Sequence, residues 1–272
     1  TGSRDFFFCR LLTFQAEAGY DHIQQALLTI TMDTFFIKET SMLIHGFTKT
    51  TLLDYPGKVA ATIFLGGCNF RCPFCHNAPL VLAPEQEPAF PLEEILHFLE
   101  KRRKILDGVC ISGGEPTLDP DLRSLCRSIK ALGYPIKLDT NGTDPGLLRG
   151  LAGEQLIDHI AMDVKSSPEH YASLTGMDSP DLDRIDQSIQ WLLTDPLPYE
   201  FRTTVVRELH TEADIIRISQ WIVGARAYFL QAYQDAPQVM QPGFTAYPKE
   251  EMEHLCDLVR PAVPSVRLRG ID

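Results

Sequence analysis

The chain has 272 residues, 44% of them hydrophobic and 22% charged, which suits a globular protein of one large α/β domain or two small ones. A formal net charge of −11 argues against nonspecific nucleic-acid binding, which needs a basic surface. No apolar run approaches the roughly 20 residues of a membrane span, and no basic–apolar–small signal pattern opens the chain, so a cytoplasmic protein without membrane or nucleic-acid partners is expected.

Residues 1–41 mix Phe runs with polar residues and carry no motif. The chain does not begin with Met, and Met42 opens a strand pattern. Residues 1–41 therefore read as an upstream extension or fragment scar, with a native helix docked on the domain as the alternative, and 42–272 read as one domain. From there strand and helix signals alternate. Strands are expected at 59–65, 108–111, 136–138, 157–164, 200–206, 227–232 and 265–268. Helices are expected at 92–104, 119–132, 145–151, 182–193, 213–222 and 249–259. Six or seven such units imply a parallel sheet, fewer than the eight of a full (β/α)8 barrel. The expected fold is α/β, an incomplete barrel of parallel strands open at one side.

Seven cysteines occur, and three of them form the run Cys68-Asn69-Phe70-Arg71-Cys72-Pro73-Phe74-Cys75 directly after an apolar strand. Cys9, Cys110, Cys126 and Cys256 are scattered, so a disulfide framework is not indicated, and clustered thiols fit metal binding in a reducing compartment. A structural zinc site wants four closed ligands. A [4Fe–4S] cluster on three thiolates leaves one iron open to a substrate or cofactor. A zinc knuckle or an unmetallated buried cluster is the competing reading.

Other polar motifs close successive strands: Ser112-Gly113-Gly114-Glu115-Pro116, then Asp139-Thr140-Asn141-Gly142, then Asp163 and Lys165, with Arg202 inside the next strand. In a parallel barrel that rim carries the active site. The glycines permit close backbone approach to a ligand, or make a tight strand-to-helix turn. Asp139, Thr140 and Asp163 offer hard oxygens to a small cation, or serve as caps and turns. Lys165 and Arg202 pair with those carboxylates or hold a ligand carboxylate. Lys101-Arg102-Arg103-Lys104 suits a solvated helix terminus, with a docking patch for an acidic partner as the minor reading. His159 reads as a hydrogen-bonded structural histidine. No nucleophile–base pair is evident.

Together these residues resemble the radical S-adenosylmethionine (SAM) superfamily, and within it the activating enzymes of glycyl-radical enzymes. The resemblance covers roughly 42–231 and rests on the cysteine run with Phe74, Cys75-His76-Asn77, the G-G-E-P and D-T-N-G motifs, and Met162-Asp163-Val164-Lys165. Leu53-Asp54-Tyr55-Pro56-Gly57-Lys58 is similar to the activating proteins of anaerobic ribonucleoside-triphosphate reductase. Pyruvate formate-lyase activases carry a D-G-P-G-x-R segment there.

The resemblance implies that Cys68, Cys72 and Cys75 hold a [4Fe–4S] cluster whose open iron takes S-adenosyl-L-methionine. It places Gly113, Gly114 and Glu115 at the SAM amino group and Asn77, Lys165 and Arg202 along the methionyl part, with Ser112, Asp139, Asn141 and Asp163 also among the cofactor-binding residues. Asp139, Thr140 and Asp163 resemble a monovalent-cation site. Flavodoxin or ferredoxin would donate the electron, and a 5′-deoxyadenosyl radical would take hydrogen from a glycine of the partner. Activation of another glycyl-radical enzyme, chemistry on a small molecule, and a non-catalytic metal-binding module remain the alternatives.

Overall fold

The computed structural model of the protein describes residue 42 and residues 44–271, so the reading of 1–41 lies outside the described residues. One eight-stranded sheet runs in chain order: β1 (Ile44–Thr51), β2 (Ala60–Leu65), β3 (Gly108–Gly113), β4 (Ile136–Thr140), β5 (His159–Asp163), β6 (Tyr199–Val205), β7 (Tyr228–Ala232) and β8 (Val266–Arg269). β1 and β2 form an antiparallel hairpin, and every later pairing is parallel. β1 and β8 are the two edges, so the sheet is not closed.

The crossovers carry α1 (Ala78–Leu82), α2 (Leu92–Lys101), α3 (Leu122–Ala131), α4 (Pro145–Gly153), α5 (Tyr171–Thr175), α6 (Leu182–Leu193), α7 (Glu212–Trp221) and α8 (Lys249–Val259). Their sequence signals are local. Leu122, Leu125, Cys126 and Ile129 line the buried face of α3 at helical spacing. Asp144 caps α4 through the Leu147 amide, with Pro145 at its first turn. Thr211 and Asp214 close a capping box on α7. Among the described residues no helix is long and apolar enough to cross a membrane.

The two faces of the sheet differ in chemistry because side chains alternate along a strand. Ile63, Ile111, Leu138, Ile160, Phe201 and Leu230 are fully buried and belong to the hydrophobic core. The other face is polar, and the register aligns it: Thr62, Cys110, Lys137 and His159 form one row across β2 to β5. Asp163 stands beside Arg202, and Gln231 beside Arg269. The interior of this sheet is thus charged, unlike the layered apolar filling of a closed barrel.

The antiparallel pairing of β1 with β2 and the short helices α1 and α5 carry no signal in the sequence. The helix expected at 92–104 stops at Lys101, and exposed turns follow.

Candidate functional site

The loops after β2 to β6 surround one cavity of about 230 Å³, and all the site residues named from the sequence line it. Phe70, His76, Thr204 and Gln231 also line it and were not singled out. Thr204 lies two positions beyond Arg202 in β6, so period-2 spacing from Arg202 was the available signal.

Three loops are tied into a closed triangle. The cysteine loop meets the glycine loop through backbone: the Gly114 amide donates to the Leu65 carbonyl at 2.9 Å, and the Glu115 amide to the Gly67 carbonyl at 2.8 Å. Asn77 Nδ2 adds a bond to the Gly113 carbonyl at 2.7 Å. This contact explains the glycines. A Cβ on Gly113, whose φ is +123°, would lie 2.2 Å from the Leu65 carbonyl oxygen, and one on Gly114 would lie 1.9 Å from that of Gly67.

The glycine loop meets the Asp139–Gly142 turn through Glu115. Its buried carboxylate accepts bonds from the Thr117 amide and hydroxyl, the Thr140 hydroxyl at 2.8 Å and the Asn141 amide at 2.6 Å. Burial pushes this carboxyl upward, and the four donors oppose that without reversing it. The third side closes where Asn141 Nδ2 donates to Asn69 Oδ1 at 2.8 Å, and Asn69 Nδ2 to the Thr143 hydroxyl at 3.1 Å.

The cysteine loop is further held from two sides. The Arg71 amide donates to the Thr175 carbonyl at 2.7 Å. The Met240 and Gln241 amides, beyond β7, donate to the carbonyls of Cys75 and Pro73 at 3.1 and 2.8 Å.

Arg202 joins the two strand-end carboxylates, with Nε 2.8 Å from Asp163 and Nη1 3.3 Å from Asp139. Lys165 pairs with Asp163 at 3.0 Å, and the buried Lys137 pairs with Asp139. Burial would raise both carboxyls, but Arg202 with Lys137 or Lys165 outweighs it and holds each below the usual range. Lys165 and Arg202 therefore adopt the pairing alternative here while still lining the cavity. Two carboxylates facing three cations are already compensated, and the Thr140 hydroxyl is committed to Glu115. His159, read as hydrogen-bonded, instead leaves Nε2 without a partner and packs on Tyr55 at 5.8 Å. His210 lies behind Phe74, its Nε2 2.9 Å from the Lys165 carbonyl.

The thiols of Cys68, Cys72 and Cys75 are free and face the cavity. Burial pushes Cys68 up to about 11 and Cys72 up to about 12, so loading a metal centre must release protons. Three thiols of one loop face the cavity, whereas a structural zinc site wants four closed ligands. A [4Fe–4S] cluster on three thiolates leaves one iron without a protein ligand, so the donor set fits a cluster.

The family described as the radical SAM superfamily matches residues 62–221, more than half of the chain. A Methanocaldococcus jannaschii protein, provisionally named a glycyl-radical enzyme activating enzyme, is 34% identical over 196 residues, covering 71% of this chain and 80% of that protein. The pyruvate formate-lyase-activating enzyme of Clostridium pasteurianum is 30% identical over 142 residues, 49% of this chain and 57% of that one. Among solved structures, Streptococcus suis SuiB bound to S-adenosylmethionine aligns with a TM-score of 0.60 at 17% identity, covering 75% of this chain and 48% of that chain. That likeness is one of fold, and this chain spans about half of SuiB. The open parallel sheet and the three-thiol loop thus carry a family sequence as well as a family shape, and the chain belongs to the radical SAM superfamily of enzymes, which work with a [4Fe–4S] cluster and S-adenosylmethionine.

Proposed function

We propose that the protein activates a glycyl-radical enzyme, most specifically an anaerobic ribonucleoside-triphosphate reductase. The observation that carries the reading is the cavity itself: a rim of interlocked loops above a sheet whose edges β1 and β8 do not meet, open to a segment of a large substrate. The 34% identity to a relative named for that activity supports the class. The D-Y-P-G-K segment, Asp54 to Lys58, supports the choice of reductase through its resemblance.

In this reading Cys68, Cys72 and Cys75 hold the cluster. When bound, cluster and cofactor supply reductive cleavage of S-adenosylmethionine and a 5′-deoxyadenosyl radical. Asn77, Ser112, Gly113 and Gly114 line the same cavity as the three thiols and would contact the cofactor there. Arg202 and Lys165 supply positive charge for the methionyl carboxylate, held in place by Asp139 and Asp163. Asn141 and Glu115 keep the neighbouring turn in position, and a monovalent cation at Asp139, Thr140 and Asp163 would have to share these carboxylates with their cations. Phe70 and Phe74, both buried, supply apolar lining to the cavity beside the thiols. Flavodoxin or ferredoxin would supply the electron.

The test is anaerobic reconstitution followed by dithionite and S-adenosylmethionine. The expected results are 5′-deoxyadenosine as product and a glycyl-radical EPR signal on the reductase after mixing. Cys72→Ala should lose the cluster absorbance and the cleavage together. Cleavage without radical transfer to any glycyl-radical enzyme would favour a small-molecule substrate instead.

A further inference from the structure

The end of the sheet away from the cysteine loop carries a feature that the proposed chemistry leaves unused. Thr51, Ala60 and Gly108 form one row across β1, β2 and β3 at that end. The row crosses β2 at Ala60, five residues before its end at Leu65, so it lies about 17 Å from the strand end that leads into the cysteines. Just beyond it, Leu52 and Leu53 are 71% and 85% exposed, and Ile105 is 54% exposed. The two loops that carry them are pinned together: the Asp107 amide donates to the Val59 carbonyl at 2.7 Å, and the Val59 amide to Asp107 Oδ2 at 3.0 Å.

Basic residues occur on the same two loops and next to them. Lys49 and Arg102 share one ring, Phe98, at 5.8 and 5.5 Å from its centre. Lys58 lies over Tyr55 at 5.5 Å. Lys101, Arg103 and Lys104 are exposed on the turn after α2, with Arg103 3.8 Å from Glu100. Six basic residues thus stand against three carboxylates in these segments, Asp54, Glu100 and Asp107, on a chain whose net charge is −11.

Each piece has an ordinary explanation taken singly. Lysine on an edge strand discourages strand pairing, basic residues suit a helix C-terminus, and a lone exposed leucine is common. None of these accounts for two adjacent, nearly bare leucines on a loop pinned to a second loop, with six basic residues on the two loops and the segments next to them. That arrangement is the anatomy of a protein interface, with an apolar centre and a polar rim.

We propose that this surface docks an acidic patch on the protein partner, with Leu52 and Leu53 at its centre and Lys49, Lys58 and the 101–104 run as its rim. The proposal rests on the activase reading, which requires a macromolecular partner. Charge complementarity selects an acidic partner and speeds encounter. A nucleic acid would gain nothing from the leucines and would be repelled by the rest of the chain. Docking at this end leaves the cavity mouth free for the segment that reacts.

The experiment uses the cluster-loaded full chain and the anaerobic ribonucleoside-triphosphate reductase of the same genome. Two variants, Leu52→Ser/Leu53→Ser and Lys101→Glu/Arg102→Glu/Arg103→Glu/Lys104→Glu, perturb the surface by different chemistry. The expected result is about tenfold weaker binding or more for each, loss of salt dependence for the second, and a matching fall in glycyl-radical yield at limiting concentration. Cleavage of S-adenosylmethionine with dithionite alone should stay unchanged in both. Unchanged affinity in a system where the wild type delivers the radical overturns the docking proposal alone. Binding that is lost only toward phosphatidylserine vesicles, or only in self-association, also overturns it. A wild type that cleaves S-adenosylmethionine yet delivers no radical overturns the activase reading and the docking proposal with it.

Discussion

Glu115 lines the cavity and also holds two loops together: it is 1% exposed, and its carboxylate accepts four hydrogen bonds from them. Glu115→Ala should therefore lower the stability of the cluster-free protein by about 3 kcal/mol, because buried donors lose their acceptor. Glu115→Gln should lose less and retain more cofactor affinity. A residue that touched only the cofactor would leave the cluster-free melting temperature unmoved. Lys137 was passed over entirely, because a lysine in a short strand reads as a surface group. Only the register, which sets it in the row with Cys110 and His159, turns it inward to Asp139. His159 offers a pH test. Burial pushes its imidazole down to about 4, against about 6.5 in the unfolded chain. Between those values the unfolded state binds the proton and the folded state does not, so stability falls as pH drops through that window. Chemical denaturation at pH 7.5 and 5.5 should show about 1 kcal/mol lost, and His159→Gln should remove that part of the slope.

Strand and helix order was legible at the scale of elements because each long segment carries its own period. The strands β2 to β8 and helices such as α6 and α8 fall within a few residues of their expected positions. The five-residue helices α1 and α5 escaped because so short a segment shows little more than one turn of periodicity. The packing between loops was not legible at all, since it depends on backbone meeting backbone. Gly114 is the sharpest instance. Gly114→Ala places a Cβ 1.9 Å from the Gly67 carbonyl, an atom the cysteine loop cannot withdraw without moving Cys68. The expected outcome is a loss of about 3 kcal/mol or more together with low cluster occupancy after reconstitution. Gly133→Ala is the control: φ is +87° there with open space around it, so about 1 kcal/mol of backbone strain is the whole cost and cluster loading should be normal.

The described residues as a whole build an open sheet with a charged inner face, and its far edge needs a fastening that a closed barrel gets from its seam. Arg269 of β8 supplies one, reaching Glu200 of β6 with two bonds at 3.0 and 3.2 Å while stacking 3.9 Å from the Phe229 ring centre on β7. Glu200 is buried, so Arg269→Met leaves an unpaired charge inside and should cost about 3 kcal/mol. The double variant Glu200→Gln/Arg269→Met should recover part of that in urea titrations. The openness of the sheet was legible from the number of units, and the polar lining from strand-end motifs. The fastening was not, because Glu200 and Arg269 are 69 residues apart and meet only through the pairing of β6, β7 and β8.

The bonds from Met240 and Gln241 to Cys75 and Pro73 join two stretches of chain more than 160 residues apart into one cooperative unit. Opening that unit frees the cysteine loop, and a bound cluster holds it shut. Amide hydrogen exchange at 240 and 241 should therefore slow on cluster loading, while the amides of β3 change little. Two backbone protons far along the sequence would then serve as a gauge of whether the metal centre has been installed.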